Sequence, residues 1–548
     1  MHIRDFLNAP LERIGGRASK RLVAAAKGAA GKLRGKISRR DVIKAAVALG
    51  AAGATAKLVT RIPARHDFGP TVILYIADTC RADVIGKVIN GIEVTPNLNR
   101  FAEKGLYFPN AYSSSNHTKT GVAGILVGDP APVHGITWRA NTIPVMPTLS
   151  TYFKDKGYGT LAMINNQWLE AEKARRGQEE FGFSRGFEQY KYYPTQMLRL
   201  RTDKGETRPR VYASDEKMRQ STFERLGPRR IDRGFKLPAL IWVHSMRMHW
   251  PRLPDAPNQF TGTFHEKGLL ARAGRDGVFA SDWAFVNSFW QRKDNPDPRR
   301  FEALGDDEVQ LIRAMYYEAA SLMDYDFGTF MDELHKHGSD AVQVIFTADH
   351  GESLGGVDKE FGHGQGLGEA VLRVPLILGG RDVAQATVSR RVPNYCIPQT
   401  VMLFSGDYIR ETTGLPLDPG RIKDEAPIYA SARTSAAYIG GDGIKVVRDD
   451  AGNFSFYDIT KDPGETAALE VAEEKRAGVV AQVADFEALC ERLRKARRIE
   501  YKLTGIGWQL KMSELTGEQL KRAGEADRKS QKVDKEKIEE MKALGYLN

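Results

Sequence analysis

Short apolar runs rich in β-branched residues recur along the chain and stop abruptly at polar or acidic positions. Thr71-Val72-Ile73-Leu74-Tyr75-Ile76-Ala77 is one such run and ends on Asp78, while residues 341–346 form another that leads into Thr347-Ala348-Asp349-His350. Unbroken apolar runs of this length predict strands covered on both faces rather than half-exposed ones. Residues 160–164, 239–244 and 374–378 repeat the pattern. Between them lie segments long enough for helices, such as 148–156 and 311–336. Strands alternating with helical segments predict an α/β fold built on a largely parallel sheet with both faces covered.

Two of these strands bring an acid to their carboxyl ends, Asp78 and Asp349, and in open α/β sheets that edge is where ligands gather. Asp349 also stands beside His350. A carboxylate oxygen and an imidazole nitrogen leaving a strand together suit a divalent ion, and Gly351 is expected to permit a tight bend there. Taken alone, Asp-His-Gly is short enough to arise by chance, and either acid would also serve to cap the segment after its strand.

The third piece is the stretch from Pro109 to Gly128, which carries Ser113-Ser114-Ser115-Asn116-His117-Thr118-Lys119-Thr120-Gly121. With it the chain resembles the sulfatase branch of the alkaline phosphatase superfamily. The matching motifs run in order: Asp78 to Arg81, Thr95-Pro96-Asn97-Leu98 through Gly105, Thr118 ten residues before Gly128, and Asp349-His350-Gly351. They continue through His134-Gly135-Ile136, His249-Trp250-Pro251, Gly362-His363-Gly364, Arg373-Val374-Pro375-Leu376, Tyr457-Asp458 with Asp462-Pro463-Gly464-Glu465, and Ala543-Leu544-Gly545-Tyr546. The resemblance implies an alkaline-phosphatase-like sheet covered by helices on both faces, with a smaller C-terminal subdomain holding a short antiparallel sheet. Residues 69–412 would form the catalytic domain and 425–548 the C-terminal subdomain and helical tail.

One departure bears on the chemistry. Sulfatases carry Cys or Ser in a Cys-x-Pro-x-Arg context that is converted to formylglycine, whereas this chain has Thr118 at that position and Val122 where the arginine would stand. No formylglycine is expected. Cys396-Ile397-Pro398 lies in another segment and lacks the arginine, so Cys396 reads as a packing residue. A threonine ester cannot expel its group by reforming a carbonyl and must be opened by attack at phosphorus or sulfur, which phosphorus accepts readily. Thr118 is thus similar to the nucleophile of the superfamily's phosphodiesterases and phosphoethanolamine transferases, which also use histidines where sulfatases use lysines, as at His363.

The resemblance implies roles residue by residue. Asp78, Asp349, His350 and the Thr118 oxygen would hold one divalent ion, and coordination would activate the hydroxyl without an adjacent base. Mixed oxygen and nitrogen donors with one histidine fit manganese or zinc, while calcium and magnesium prefer more oxygens, so the ion stays open among the four. Thr118, His249 and His363 are the catalytic candidates, the histidines neutralising oxygens or protonating the leaving group. Lys119, Asn141 and Asn165 are substrate-binding candidates, with Asn166 a weaker one. His117, His134 and Arg81 read as structural, and Asp83 as a carboxylate bonded to nearby backbone. The expected activity is hydrolysis of phosphodiester, phosphomonoester or phosphonate esters through a covalent Thr118 intermediate. Sulfate-ester hydrolysis, phosphoethanolamine-type transfer and a silent protein that binds anionic glycans are the alternatives.

Charge and length add organisation. The chain has 548 residues and a formal net charge of +11, but residues 1–56 hold twelve Lys and Arg against three acids, so the remainder is nearly neutral. That argues against nucleic acid as partner and for a small anionic ester, glycan or lipid head group. Ser38-Arg39-Arg40-Asp41-Val42 followed by the mildly apolar stretch 45–54 resembles a twin-arginine export signal, which implies a periplasmic or extracellular destination; a basic amphipathic segment on a cytoplasmic protein is the alternative. No apolar run is long enough for a transmembrane span. Three cysteines imply no disulfide framework. Residues 170–234 and 254–300 read as charged, loop-like cover for the cleft, 428–457 as a small antiparallel sheet, 467–496 as a helix packed on the body, and 521–542 as a solvated helix or tail.

Overall fold

The computed structural model describes residues 70–136, 147–170, 182–193, 197–201, 207–211, 214–226, 238–249, 306–336, 342–355, 361–364, 366–404, 412–417, 427–432, 435–449 and 451–506. Asn141, Trp250, Pro251, the N-terminal basic segment 1–56 and the stretches 254–300 and 521–542 lie outside the described residues.

The apolar runs do form strands: β1 (Thr71–Ala77), β2 (Leu106–Tyr112), β3 (Gly159–Ile164), β4 (Gln189–Tyr192), β5 (Ala239–Ser245), β6 (Val342–Thr347) and β7 (Arg373–Gly380). They join one sheet in the order β2-β7-β6-β1-β5-β3-β4, with Ala386–Thr387 and Val392–Pro393 as short additions beside β2. All neighbours from β6 to β4 are parallel, and β7 alone among these strands runs against both its neighbours. Every residue of β1, β3, β5 and β6 is buried, as continuous apolar runs require. Because β1 sits between β5 and β6, the carboxyl ends of three parallel strands open onto one edge.

Helices pack against this sheet. Helix α1 (Pro96–Lys104) precedes β2; α2 (Thr118–Val127) follows it and is buried at all ten positions. Helix α3 (Leu149–Asp155) starts at Thr148, whose side chain forms a reciprocal capping box with Thr151. Helices α4 (Ser214–Leu226) and α5 (Asp306–Lys336) complete this set, and α5 lays Phe327 and Phe330 edge-on against Tyr75 at ring separations of 5.4 and 5.9 Å.

Beyond the main sheet, β8 (Ile428–Ser431), β9 (Ala436–Ile439), β10 (Ile444–Arg448) and β11 (Phe454–Asp458) form the expected antiparallel sheet. Helix α6 (Glu473–Ile506) packs on it, Phe486 stacking on Tyr429 at 5.7 Å. The backbone of Ser431 donates to Ser114 O at 3.0 Å, so this sheet touches the loop that leads into α2.

Three details depart from the sequence reading, and one strand adds to it. Residues 170–234 are not simply loop: they contain β4, the hairpin Met197–Arg201 with Thr207–Val211, and α4, whose charged residues obscure any apolar face. Leu106–Tyr112 is a strand despite Pro109, because the pairing with β7 slips between Val374 and Leu376, which leaves a bulge where the missing N–H is tolerated. Gly351 is not in the left-handed region; it is needed because a Cβ there would lie 2.3 Å from the Ala370 carbonyl oxygen. Asp83 bonds not to backbone but to the Arg81 guanidinium, at 2.7 and 2.8 Å.

Candidate active site and metal centre

At the open edge, the end of β1 supplies Asp78, the end of β6 supplies Asp349 and His350, and the first turn of α2 supplies Thr118, all at most 1 % exposed. Parallel pairing sets Ile76 opposite Thr347, so the two acids leave adjacent strands at nearly the same height. Donor atoms of Asp78, Asp349 and His350 lie within 4.8 Å of one another. The Thr118 hydroxyl joins them, 3.4 Å from Asp78 Oδ2 and 3.3 Å from His350 Nε2.

The local backbone is arranged for this convergence. Thr79, directly after Asp78, has φ +60°, a left-handed conformation that costs a β-branched residue about 1–2 kcal/mol and is typical of strained functional sites. It aims its N–H at Asp349 Oδ1, at 3.3 Å, while the His350 N–H donates to the same oxygen at 2.9 Å. His350 Nδ1 lies 2.9 Å from the Gly351 carbonyl, a partner that only an N–H satisfies, so the Nε2 lone pair is left facing the carboxylates. The Asn166 amide donates to Asp78 Oδ2 at 2.7 Å.

Two fully buried carboxylates this close repel one another. Burial, and then the charge of Asp349, push Asp78 up to about 7. Asp78 Oδ1 and Asp349 Oδ2 make no hydrogen bond among the described residues. Orphaned, buried acid oxygens beside an imidazole lone pair are the donor set of a divalent cation, and the residues present fit one.

Around this centre stand further polar groups. His363 places its ring 4.5 Å from that of His350 and 5.0 Å from that of His249, and its Nδ1 meets Glu352 Oε1 at 3.1 Å. Burial works against a charged His363, but the Glu352 carboxylate outweighs it, followed by Asp78 and Asp349, so its pKa is raised. The Lys119 ammonium is fully buried, 5.4 Å above the Trp168 ring. Asn165 is buried next to Asn166. His117 precedes the first residue of α2 without a capping hydrogen bond from its side chain and packs edge-on against Trp168 at 5.1 Å, its pKa lowered by burial. Cys396 is buried and its thiol pushed up to about 12 by burial, as suits a packing residue.

One residue beside the centre escaped sequence reasoning. His244 ends the apolar run 239–244, where it reads as an ordinary strand position, yet it is fully buried with Nε2 3.6 Å from Asp349 Oδ2 and 3.8 Å from Asp78 Oδ2. The available signal was its position: it lies opposite Ile76 of β1, two residues from Asp78.

A separate cavity of about 990 Å³ is lined by Arg81, Arg313 and Arg373 and by Tyr457 and Glu465 of the C-terminal part. None of Asp78, Thr118, Asp349 or His350 lines it.

A mostly parallel sheet with a buried Asp/Asp/His cluster at its carboxyl edge and an antiparallel C-terminal sheet defines a sulfatase-like member of the alkaline phosphatase superfamily. The chain belongs to the sulfatase family, whose model matches residues 70–403. It is similar to an arylsulfatase of Clostridium perfringens, 21% identical over 325 residues, 52% of this chain and 64% of that protein, so it spans less than two thirds of that relative's length. Its fold is similar to the phosphonate monoester hydrolase of Agrobacterium radiobacter, with a TM-score of 0.57 at 16% identity, covering 77% of this chain and 96% of that one. A phosphonate monoester hydrolase from Silicibacter pomeroyi gives a TM-score of 0.55 at 17% identity over 78% and 96%.

Proposed function

We propose that the protein is a metal-dependent hydrolase of phosphodiester, phosphomonoester or phosphonate esters that works through a covalent Thr118 intermediate. The observation that carries this reading is the position of the Thr118 hydroxyl, within 3.4 Å of both Asp78 and His350. Asp78, Asp349 and His350 would hold the ion, and the ion when bound supplies charge that lowers the pKa of an adjacent hydroxyl.

Thr118 attacks phosphorus, the new Oγ–P bond forms, and the ester P–O bond opposite breaks. Its place in the first turn of α2 sets the transferred group at the positive end of a ten-residue helix, where a developing anion is stabilised. His363, whose pKa the Glu352 carboxylate raises, is the candidate to give a proton to the departing alcohol, with His249 beside it. Lys119, the residue after Thr118, and Asn165, the neighbour of the Asn166 that bonds Asp78, would contribute positive and polar character, and Asn141 remains a candidate in the same role. Water then attacks phosphorus and gives a proton back to His363 while the Oγ–P bond breaks and frees the Thr118 oxygen, releasing a phosphate monoester, phosphate or phosphonate according to the substrate; an alcohol in place of water would make the reaction a transfer.

Sulfate-ester hydrolysis by the unmodified threonine is the second reading, favoured by the similarity to an arylsulfatase. The twin-arginine-like start supports export, and no helix among the described residues is long and apolar enough to cross a membrane. Residues 69–412 and 425–548 stand as proposed domain limits.

Turnover of aryl phosphodiester, phosphonate and sulfate reporters separates the two readings. Thr118→Ala should lower turnover by about 10³-fold or more, and mass spectrometry of protein quenched during turnover should find a phosphoryl, phosphonyl or sulfuryl group on the peptide holding Thr118. Unchanged turnover in the variant would sink the proposal.

A further inference from the structure

We infer that His244 is a second imidazole ligand of the metal centre, supplied by the middle of the sheet rather than by the Asp-His-Gly segment. The inference rests on the reading that Asp78, Asp349 and His350 hold an ion.

The first argument is position. β5 pairs on one side with β1 and on the other with β3, with His244 opposite both Ile76 and Ile164. The residues that follow those partners in β1 and β3 lead directly to Asp78 and to Asn165 and Asn166, so His244 emerges on the same edge as the candidate ligands. The Asp78 N–H donates to the Ser245 carbonyl at 2.8 Å, which locks the two strand ends together.

The second argument is distance. His244 Nε2 stands 3.8 Å from Asp78 Oδ2 and 3.6 Å from Asp349 Oδ2; His350 Nε2 stands 3.7 Å from Asp78 Oδ1 and 3.8 Å from Asp349 Oδ2. The two imidazoles thus bear the same relation to the carboxylate pair, sharing Asp349 Oδ2 and taking one oxygen each of Asp78. These separations exceed the roughly 2.7–3.2 Å of a hydrogen bond. Two donors each about 2.1 Å from one ion and spread at a tetrahedral angle are instead about 3.4 Å apart, close to what is seen.

The third argument is satisfaction. His244 is fully buried, Nδ1 makes no hydrogen bond among the described residues, and Nε2 faces Asp349 Oδ2 at 3.6 Å, longer than an ordinary hydrogen bond. A buried imidazole nitrogen held this far from its partner is costly unless something else occupies its lone pair. An ion among the carboxylates would do so. Two carboxylates and two imidazoles, with the Thr118 oxygen near, form a donor set that favours zinc or manganese over calcium or magnesium.

The test uses the full chain loaded with zinc. X-ray absorption at the zinc edge should lose one imidazole in His244→Gln relative to the unsubstituted protein, and chelator competition should show zinc held at least tenfold more weakly in both His244→Gln and His244→Ala. Circular dichroism of the metal-free variants checks their fold, and should His244→Ala fail to fold, the glutamine variant carries the comparison. An unchanged imidazole count, with affinity within twofold, would place His244 as a mere neighbour of the carboxylates and overturn the inference alone. Absence of stoichiometric divalent binding by the unsubstituted protein would overturn the metal-centre reading and this inference together.

Discussion

The chemistry of single side chains here is dominated by burial. Asp78 and Asp349 lie fully buried side by side, and burial, followed by the charge of Asp349, lifts Asp78 to about 7. The pair therefore retains a proton near neutrality when no cation is present. An arriving ion must displace that proton, so apparent affinity should fall as pH drops through about 7. Titration calorimetry of zinc in two buffers of different ionisation enthalpy should show proton release at pH 6 that is smaller at pH 8; no buffer dependence at either pH contradicts the buried pair. His363 offers a second test. Burial depresses its charged form, and Glu352 overcomes that penalty, so the raised pKa keeps the acid form available to higher pH. Activity should decline as pH rises through that pKa, and Glu352→Gln should move the alkaline limb of the kcat profile to lower pH. A limb that stays in place would remove His363 from the acid role.

At the scale of elements, the site depends on how closely α2 approaches the end of β6. Gly121 makes this possible: a Cβ there would lie 2.3 Å from the Asp349 carbonyl oxygen and 3.3 Å from Ser113 Oγ. Gly121→Ala must push the helix away from the segment that carries Asp349 and His350, an overpacking of about 1–3 kcal/mol. Because Thr118 lies one turn earlier on the same helix, the expected outcome is a lowered urea midpoint together with lost turnover, and a variant with full kcat would show the approach to be dispensable. The strand ends were legible in the sequence because β1 and β6 are unbroken apolar runs that stop on acids. Thr118 was legible only through its spacing to Gly128. His244 and the bond from Asn166 to Asp78 were not, since a histidine ending a core strand and one of two adjacent asparagines carry no mark of which way they face. The pairing of Glu352 with His363 was hidden for another reason: it is made across a turn whose geometry local pattern does not encode. Charged composition similarly concealed α4 and the hairpin near it.

Over the whole molecule, the C-terminal sheet is tied to the body by a buried charge cluster as well as by apolar packing. Lys445 of β10 is fully buried, 2.7 Å from Glu465 Oε1 and 3.5 Å from Glu369 Oε1, and the Tyr112 hydroxyl at the end of β2 donates to Glu369 Oε2 at 2.9 Å. Glu465 also accepts the Glu369 backbone N–H at 2.7 Å. Such a cluster adds little over an apolar replacement of the same shape, but removing one partner leaves the others buried and uncompensated. Lys445→Met leaves two carboxylates facing each other, and the expected loss is about 3–5 kcal/mol in urea unfolding. Adding Glu369→Gln and Glu465→Gln removes the stranded charge, so the triple variant should recover much of that stability. The same sheet meets the loop before α2, where Ser115 Oγ donates to the Ser431 carbonyl at 2.7 Å, so loosening it reaches the segment that carries Thr118. Lys445→Met should therefore lower kcat as well as stability, although Lys445 is not among the residues proposed to hold an ion or to act with Thr118. If the triple variant restores stability but kcat stays low, the coupling runs through the charge itself; if Lys445→Met leaves both unchanged, the cluster does not fasten the C-terminal sheet.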